Sequence, residues 1–177
     1  HSTASKAMII SAPEDDDVDV EYLFAQVGIE KPVVDWGGNC GNLTYAVGPY
    51  AMERGLVDPE TAGEEVNLTL RNENTGTVVE QSVPVTDEGD PQYRGDFRVF
   101  GVPGTGARIG SRFLDPAGSV TGSLFPTGNR IDTLSVPGVG DIDASLVDVS
   151  SPCVFVRAAA IGMTAAELPA DIDADPE

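Results

Sequence analysis

Apolar positions along the chain fall into short runs with two different spacings. Lys6 to Ala12 (KAMIISA) is a compact apolar run of strand length. Val20 to Val27 places Tyr22, Leu23, Phe24 and Val27 at a spacing that predicts a short amphipathic helix after the acidic run Glu14 to Glu21. Val33 to Trp36 predicts a brief strand entering a glycine-rich turn. The next segment, Leu43 to Arg54, is apolar nearly all round, which predicts a buried helix. Gly48-Pro49 is a candidate kink inside it, and Arg54-Gly55 a plausible end.

From Val66 the period changes to two. Val66-Asn67-Leu68-Thr69-Leu70 alternates, Asn74-Thr75-Gly76 turns, and Thr77 to Val85 returns as the second arm of a hairpin. The polar stretch Thr86 to Tyr93 is a candidate domain boundary. Beyond it, short strands are predicted at Phe97–Phe100, Arg108–Leu114, Val120–Phe125, Asp132–Val136, Ile142–Val149 and Val154–Arg157, separated by Gly and Pro. Near the end, Thr164 followed three residues later by Glu167 reads as a helix start.

Charge changes the picture. The chain of 177 residues carries 29 acidic and 10 basic side chains, a net charge of −19, with Lys6 and Lys31 the only lysines. Binding to a nucleic-acid backbone needs clustered cations and is not expected. With 41% hydrophobic residues and recurring strand patterns, disorder is a poor account. An acidic, lysine-poor surface suits a salt-rich cytoplasm; an acidic mesophilic domain is the plainer alternative. No apolar run approaches the roughly 20 residues that span a bilayer, so a cytoplasmic protein without a membrane partner is expected. Cys40 and Cys153 could pair on count alone, but the setting of Cys40 argues for a free thiol.

That setting is Asp35-Trp36-Gly37-Gly38-Asn39-Cys40-Gly41-Asn42. A cysteine among glycines and asparagines, just ahead of a helical segment, is how a chain presents a reactive thiol beside free amide N–H groups. Asn39 or Asn42 is a natural cap. A second polar cluster, His1-Ser2-Thr3-Ala4-Ser5-Lys6, places a lysine at the mouth of a strand, either as a partly buried base or as an ordinary solvated strand-start residue. His1 paired with Cys40 would suggest a cysteine hydrolase. The stretch from Leu114 to Asn129 reads as two turns joining strands. Arg94, Arg98, Arg108 and Arg112 form the basic concentration, suited to holding carboxylates or to serving as surface counter-charges. One histidine and scattered acids make no metal-ligand set.

In order along the chain, Ser2 to Lys6, Tyr22-Leu23-Phe24-Ala25-Gln26-Val27, Asp35 to Asn42, Gly101-Val102-Pro103-Gly104-Thr105, Leu114-Asp115-Pro116-Ala117-Gly118 and Pro126-Thr127-Gly128-Asn129 resemble the PrpF (2-methylaconitate cis–trans isomerase) family of the diaminopimelate-epimerase-like superfamily. The resemblance implies an α+β fold of two similar domains, each a curved sheet around a central helix. It implies that residues 1–88 are a first domain lacking its opening strands and 89–177 the incomplete start of a second, so that the chain is an internal piece. It implies a cofactor-free isomerase that moves a proton on an unsaturated polycarboxylate. Lys6 and Cys40 would be the catalytic pair, and Ser2, Thr3, Asn39, Gly41, Asn42 and Ser151 contacts to the substrate. A tautomerase for another unsaturated acid is the nearest alternative; a non-catalytic, acid-binding β-rich domain is the rival from another class. A homo-oligomer is compatible with all of these.

Overall fold

The computed structural model of the chain describes residues 5–14, 16–57 and 63–174. It divides into two compact units between Pro116 and Ala117. Strands dominate both, with a few short helices, and the class is α+β.

The first unit is built on strands β1 (Lys6–Ser11), β2 (Val20–Val27), β3 (Val34–Asp35), β4 (Glu65–Asn72), β5 (Val78–Pro84) and β6 (Gly110–Phe113). They form one sheet in the order β1-β2-β4-β5-β6, with β3 on β2. All pairs are antiparallel except β2 with β4, which run parallel at Val20↔Leu70 and Tyr22↔Asn72. Residues 89–116, assigned from the sequence to a second domain, group with this unit because β6 pairs with β5 at Val79↔Phe113 and Gln81↔Ser111.

The predicted helix at Val20–Val27 is a strand. Consecutive residues Val20, Glu21 and Tyr22, and again Phe24 and Ala25, are buried, so both faces are covered over most of its length; β1 pairs along one edge and β4 and β3 share the other. A strand buried on both faces shows no alternation, and its apolar run can be mistaken for a helix.

The single helix predicted for Leu43–Arg54 is two helices, α1 (Gly41–Thr44) and α2 (Val47–Glu53). The break falls at Tyr45-Ala46, not at Gly48-Pro49. Pro49 stands in the first turn of α2, where no intrahelical N–H bond is lost. Nor is the segment buried all round: Tyr45 and Tyr50 are exposed, while Val47, Gly48, Pro49 and Ala51 are buried. That buried face packs with Val20, Tyr22, Val66, Leu68, Leu70, Val79 and Val83 to make the core. Each large apolar side chain so buried contributes about 1.5–3 kcal/mol.

Gly48 has a specific reason to be glycine. A Cβ there would come within 2.2 Å of Gln81 Oε1. Buried Gln81 accepts from the Gly48 N–H at 2.8 Å and donates to the Thr44 carbonyl and the Ser111 hydroxyl, each at 3.0 Å. One side chain of β5 thus holds the end of α1 and the start of α2 against the sheet.

The second unit holds β7 (Asp132–Val136), β8 (Gly140–Val149) and β9 (Ser151–Val156) in an antiparallel sheet of that order. Val120–Phe125, predicted as a strand, is a series of turns tied down by buried Asp148. Its Oδ2 accepts from the N–H groups of Val120 and Thr121 and from the Thr121 hydroxyl, at 2.7–2.9 Å. Burial alone would push this carboxyl up, but those hydrogen bonds outweigh it and hold the pKa below the ordinary value. Phe97–Phe100, in the first unit, is likewise no strand; Phe97 makes one isolated bridge to Gly106. Thr164 does pair with the Glu167 carboxylate at 2.7 Å, but the helix that follows, α3 (Pro169–Asp173), begins only after Leu168.

Among the described residues, no helix is long and apolar enough to cross a membrane, and no group of three or more His, Cys, Asp and Glu is placed to hold a metal ion. Cys40 and Cys153 are free thiols, the first buried and the second exposed.

Candidate active site

Strand register brings the two candidate residues together. Gln26, near the end of β2, pairs with Lys6 on one edge and with Asp35 on the other. Lys6 therefore starts β1 opposite the point where β3 hands the chain to the Gly37-Gly38-Asn39-Cys40 turn. Lys6 shares its face of β1 with Met8 and Ile10, which pack against the core. The chain then closes the gap: Lys6 Nζ donates to Cys40 Sγ at 3.4 Å. Cys40 is 7% exposed and Lys6 half-buried.

The turn itself is held from beneath. Asn74, in the hairpin loop after β4, accepts from Phe24 N at 2.7 Å and donates to the carbonyls of Phe24 and Trp36, each at 2.8 Å. Behind Cys40, the Asn39 Oδ1 accepts from Cys40 N at 2.7 Å, with the Tyr22 hydroxyl at 3.3 Å and Asn72 Nδ2 at 3.4 Å. Thr44 completes the group, its hydroxyl donating to the Cys40 carbonyl at 2.8 Å. Burial pushes the Tyr22 phenol up, against the opposing effect of hydrogen bonds with Thr44, Asn39 and Asn72. It stays a neutral hydroxyl at physiological pH. Tyr22, Thr44 and Asn72 are buried polar residues that the sequence alone does not single out as part of a site.

Capping differs from expectation. The residue at the N-cap of α1 is Cys40, and among the described residues no side chain caps that helix. Asn39 bonds instead to the Cys40 N–H, and Asn42 lies exposed inside α1. With only four residues, α1 supplies little macrodipole; what it offers an anion is local backbone N–H groups.

The sequence candidates are thus distributed unequally. Lys6, Asn39 and Cys40 are brought together, with Gly41 and Asn42 following directly in α1. Ser151 opens β9 in the second unit and is exposed. Ser2, Thr3 and His1 lie outside the described residues. Of the arginines, Arg112 is paired with Glu80 on β5 and Arg108 lies over the Phe97 ring at 5.7 Å, so these two act as local partners on the surface.

Together these features describe an α+β protein with an amine–thiol pair seated on a buried polar network. A family profile described as PrpF protein matches residues 1–177, and the chain belongs to that family. It is 42% identical to the 2-methyl-aconitate isomerase of Cupriavidus necator, over 98% of this chain and 45% of that protein. It is 44% identical to the 3-methylitaconate isomerase of Eubacterium barkeri, over 93% of this chain and 42% of that protein. A crystal structure of methylitaconate-delta-isomerase superposes with a TM-score of 0.76 at 41% identity, over 99% of this chain and 44% of that one. The chain spans a little under half the length of the curated relatives it matches.

Proposed function

We propose that this chain carries the proton-transfer residues of an isomerase acting on an unsaturated polycarboxylate of the 2-methylaconitate or methylitaconate kind. The observation that carries the reading is the Lys6–Cys40 contact at 3.4 Å, in a family whose named relatives isomerise such acids. The γ-proton of such an acid is removable because the anion left behind delocalises into the conjugated carboxylate. Removing it takes a base within reach and a field that stabilises the developing charge.

Lys6 is the main acid and base in this reading. Two groups that share one hydrogen bond leave no room for a substrate carbon between them. The pair therefore acts from one side of the substrate, which suits a shift in which one group takes the proton and returns it elsewhere on the same face. Cys40 orients the lysine and holds the substrate from that side, with Asn39, Gly41 and Asn42 as contacts to its carboxylates. Ser2 and Thr3 are further carboxylate contacts by family resemblance. The same resemblance supports reading the chain as the first domain of a diaminopimelate-epimerase-like fold with the start of a second, and the setting as cytoplasmic, without an organic cofactor.

Proton exchange tests the reading. The protein is incubated in D₂O with 2-methylaconitate, methylitaconate and trans-aconitate, and deuterium at the γ-carbon is followed by NMR. Exchange that disappears in Lys6→Ala supports it. Exchange undiminished in that variant removes Lys6 from the role, and a folded protein that exchanges none of these acids sinks the isomerase reading.

A further inference from the structure

The Asn39 side chain is fixed from two directions. Its Oδ1 accepts from the next residue's backbone N–H at 2.7 Å, and two further donors converge on the same oxygen: Tyr22 Oη at 3.3 Å and Asn72 Nδ2 at 3.4 Å. The orientation of Asn72 is itself determined. Its Oδ1 accepts from the Thr75 N–H at 2.9 Å and the Thr75 hydroxyl at 2.8 Å, so its Nδ2 must face Asn39 and Asn74. Backbone N–H groups cannot exchange roles as donor and acceptor. The direction of the chain of amides is therefore set at both ends, by Cys40 N and by Thr75 N. The Tyr22 and Thr44 hydroxyls, themselves 3.4 Å apart, fill the remaining side.

The consequence falls on the other end of Asn39. With its oxygen held, its Nδ2 is buried and, among the described residues, has no hydrogen-bond partner. A buried amide donor without a partner is costly, and a bound acceptor would relieve that cost. We propose that Asn72 and Tyr22 are positioning residues, a buried clamp that fixes the Asn39 amide in one orientation and keeps its free N–H available to a carboxylate oxygen bound beside Cys40. The identity of that carboxylate rests on the isomerase reading above; the clamp does not.

Hydrogen exchange of the Asn39 side-chain amide in the ligand-free chain reads the clamp directly. The resonance pair is assigned by its loss in Asn39→Asp. In the unaltered chain the pair should be sharp and should exchange with water far more slowly than a solvated asparagine amide. Tyr22→Phe, which keeps the ring, should speed that exchange about tenfold, the scale of one lost net hydrogen bond. Asn72→Ala, which removes the other side-chain donor to the Asn39 oxygen, serves if the first variant does not fold. Titration with trans-aconitate should move the Asn39 pair, with a dissociation constant raised about tenfold in the Tyr22 variant.

An Asn39 amide that exchanges in the unaltered chain as a solvated one does would overturn the clamp. So would exchange unchanged in folded variants. A trans-aconitate titration that leaves Asn39 still overturns its carboxylate role. Shifts at Asn39 without γ-proton exchange keep the clamp and remove the isomerase reading, so the two failures are distinguishable.

Discussion

Lys6 Nζ and Cys40 Sγ, 34 residues apart in sequence, meet at 3.4 Å because β2 pairs with β1 on one edge and with β3 on the other. Neither side chain belongs to a helix, and their meeting depends on strand register. A slip of one residue in the β1–β2 pairing would turn Lys6 to the opposite face.

Removal of the amine should therefore slow the chemistry sharply with little effect on the fold. Lys6→Ala is expected to lower turnover by about 10²–10⁴, the range for loss of a positioned acid or base. Cys40→Ser keeps a small polar group and should cost less. Parallel kcat and KM measurements check this: a Lys6 effect confined to KM would make the lysine a binding residue only.

The two thiols should react on different timescales. Cys153 is exposed on β9, whereas Cys40 is buried against Lys6 and the Asn39 network. Iodoacetamide labelling followed by mass spectrometry should show a fast site and a site at least about tenfold slower, since reaction needs access as well as thiolate. Cys153→Ser should remove the fast phase alone. Equal rates at both sites would contradict the packing around Cys40.

Gly48→Ala should destabilise the first unit. The new Cβ would meet Gln81 Oε1 at 2.2 Å and Leu68 Cδ1 and Val83 Cγ2 at 3.1 Å. It must displace the glutamine that joins α1 and α2 to β5, at a cost of about 1–3 kcal/mol for overpacking. Urea unfolding should show a lower midpoint with an unchanged slope. An unshifted midpoint would mean that Gln81 gives way freely.

Alkaline titration should reveal tyrosines that ionise late. Tyr93 donates to Glu53 Oε1 at 2.8 Å, and partial burial, that hydrogen bond and the carboxylate's charge push its phenol up to about 12. A phenol raised on folding stabilises the folded state fully below the unfolded value of about 10; that stabilisation is lost as pH rises through about 12. Absorbance at the tyrosinate band should show a late component that shrinks in Tyr93→Phe, leaving buried Tyr22 as the other held-back phenol. A titration of all four tyrosines together near 10 would exclude the Tyr93–Glu53 bond in solution.

Salt should stabilise the chain. A net charge of −19 is self-repelling at low ionic strength, and raising salt from about 0.1 to about 1 M shortens the screening length from about 10 to about 3 Å. Thermal unfolding in KCl should give a Tm that rises over this range by several degrees. A flat or falling Tm would remove the salt-rich setting proposed from composition.

Local pattern by itself determined the elements that are buried on one face. The β4–β5 hairpin alternates in sequence and in burial, and β1, β7 and β8 occur where short apolar runs predict them. Residue chemistry and family resemblance single out Lys6 and Cys40 as candidates without reference to the fold. Tertiary structure decided what local spacing cannot encode. Strand β2 was hidden because burial on both faces erases the period, and the break at Tyr45-Ala46 because the contacts of Gln81, 37 residues from Thr44, hold the two helical pieces in place. The Asn39 network was hidden for the same reason: Asn72 and Tyr22 become its partners only once β2 and β4 pair in register at Tyr22↔Asn72. A hydrogen bond between remote residues depends on where pairing places their backbones, and that is a property of the assembled sheet.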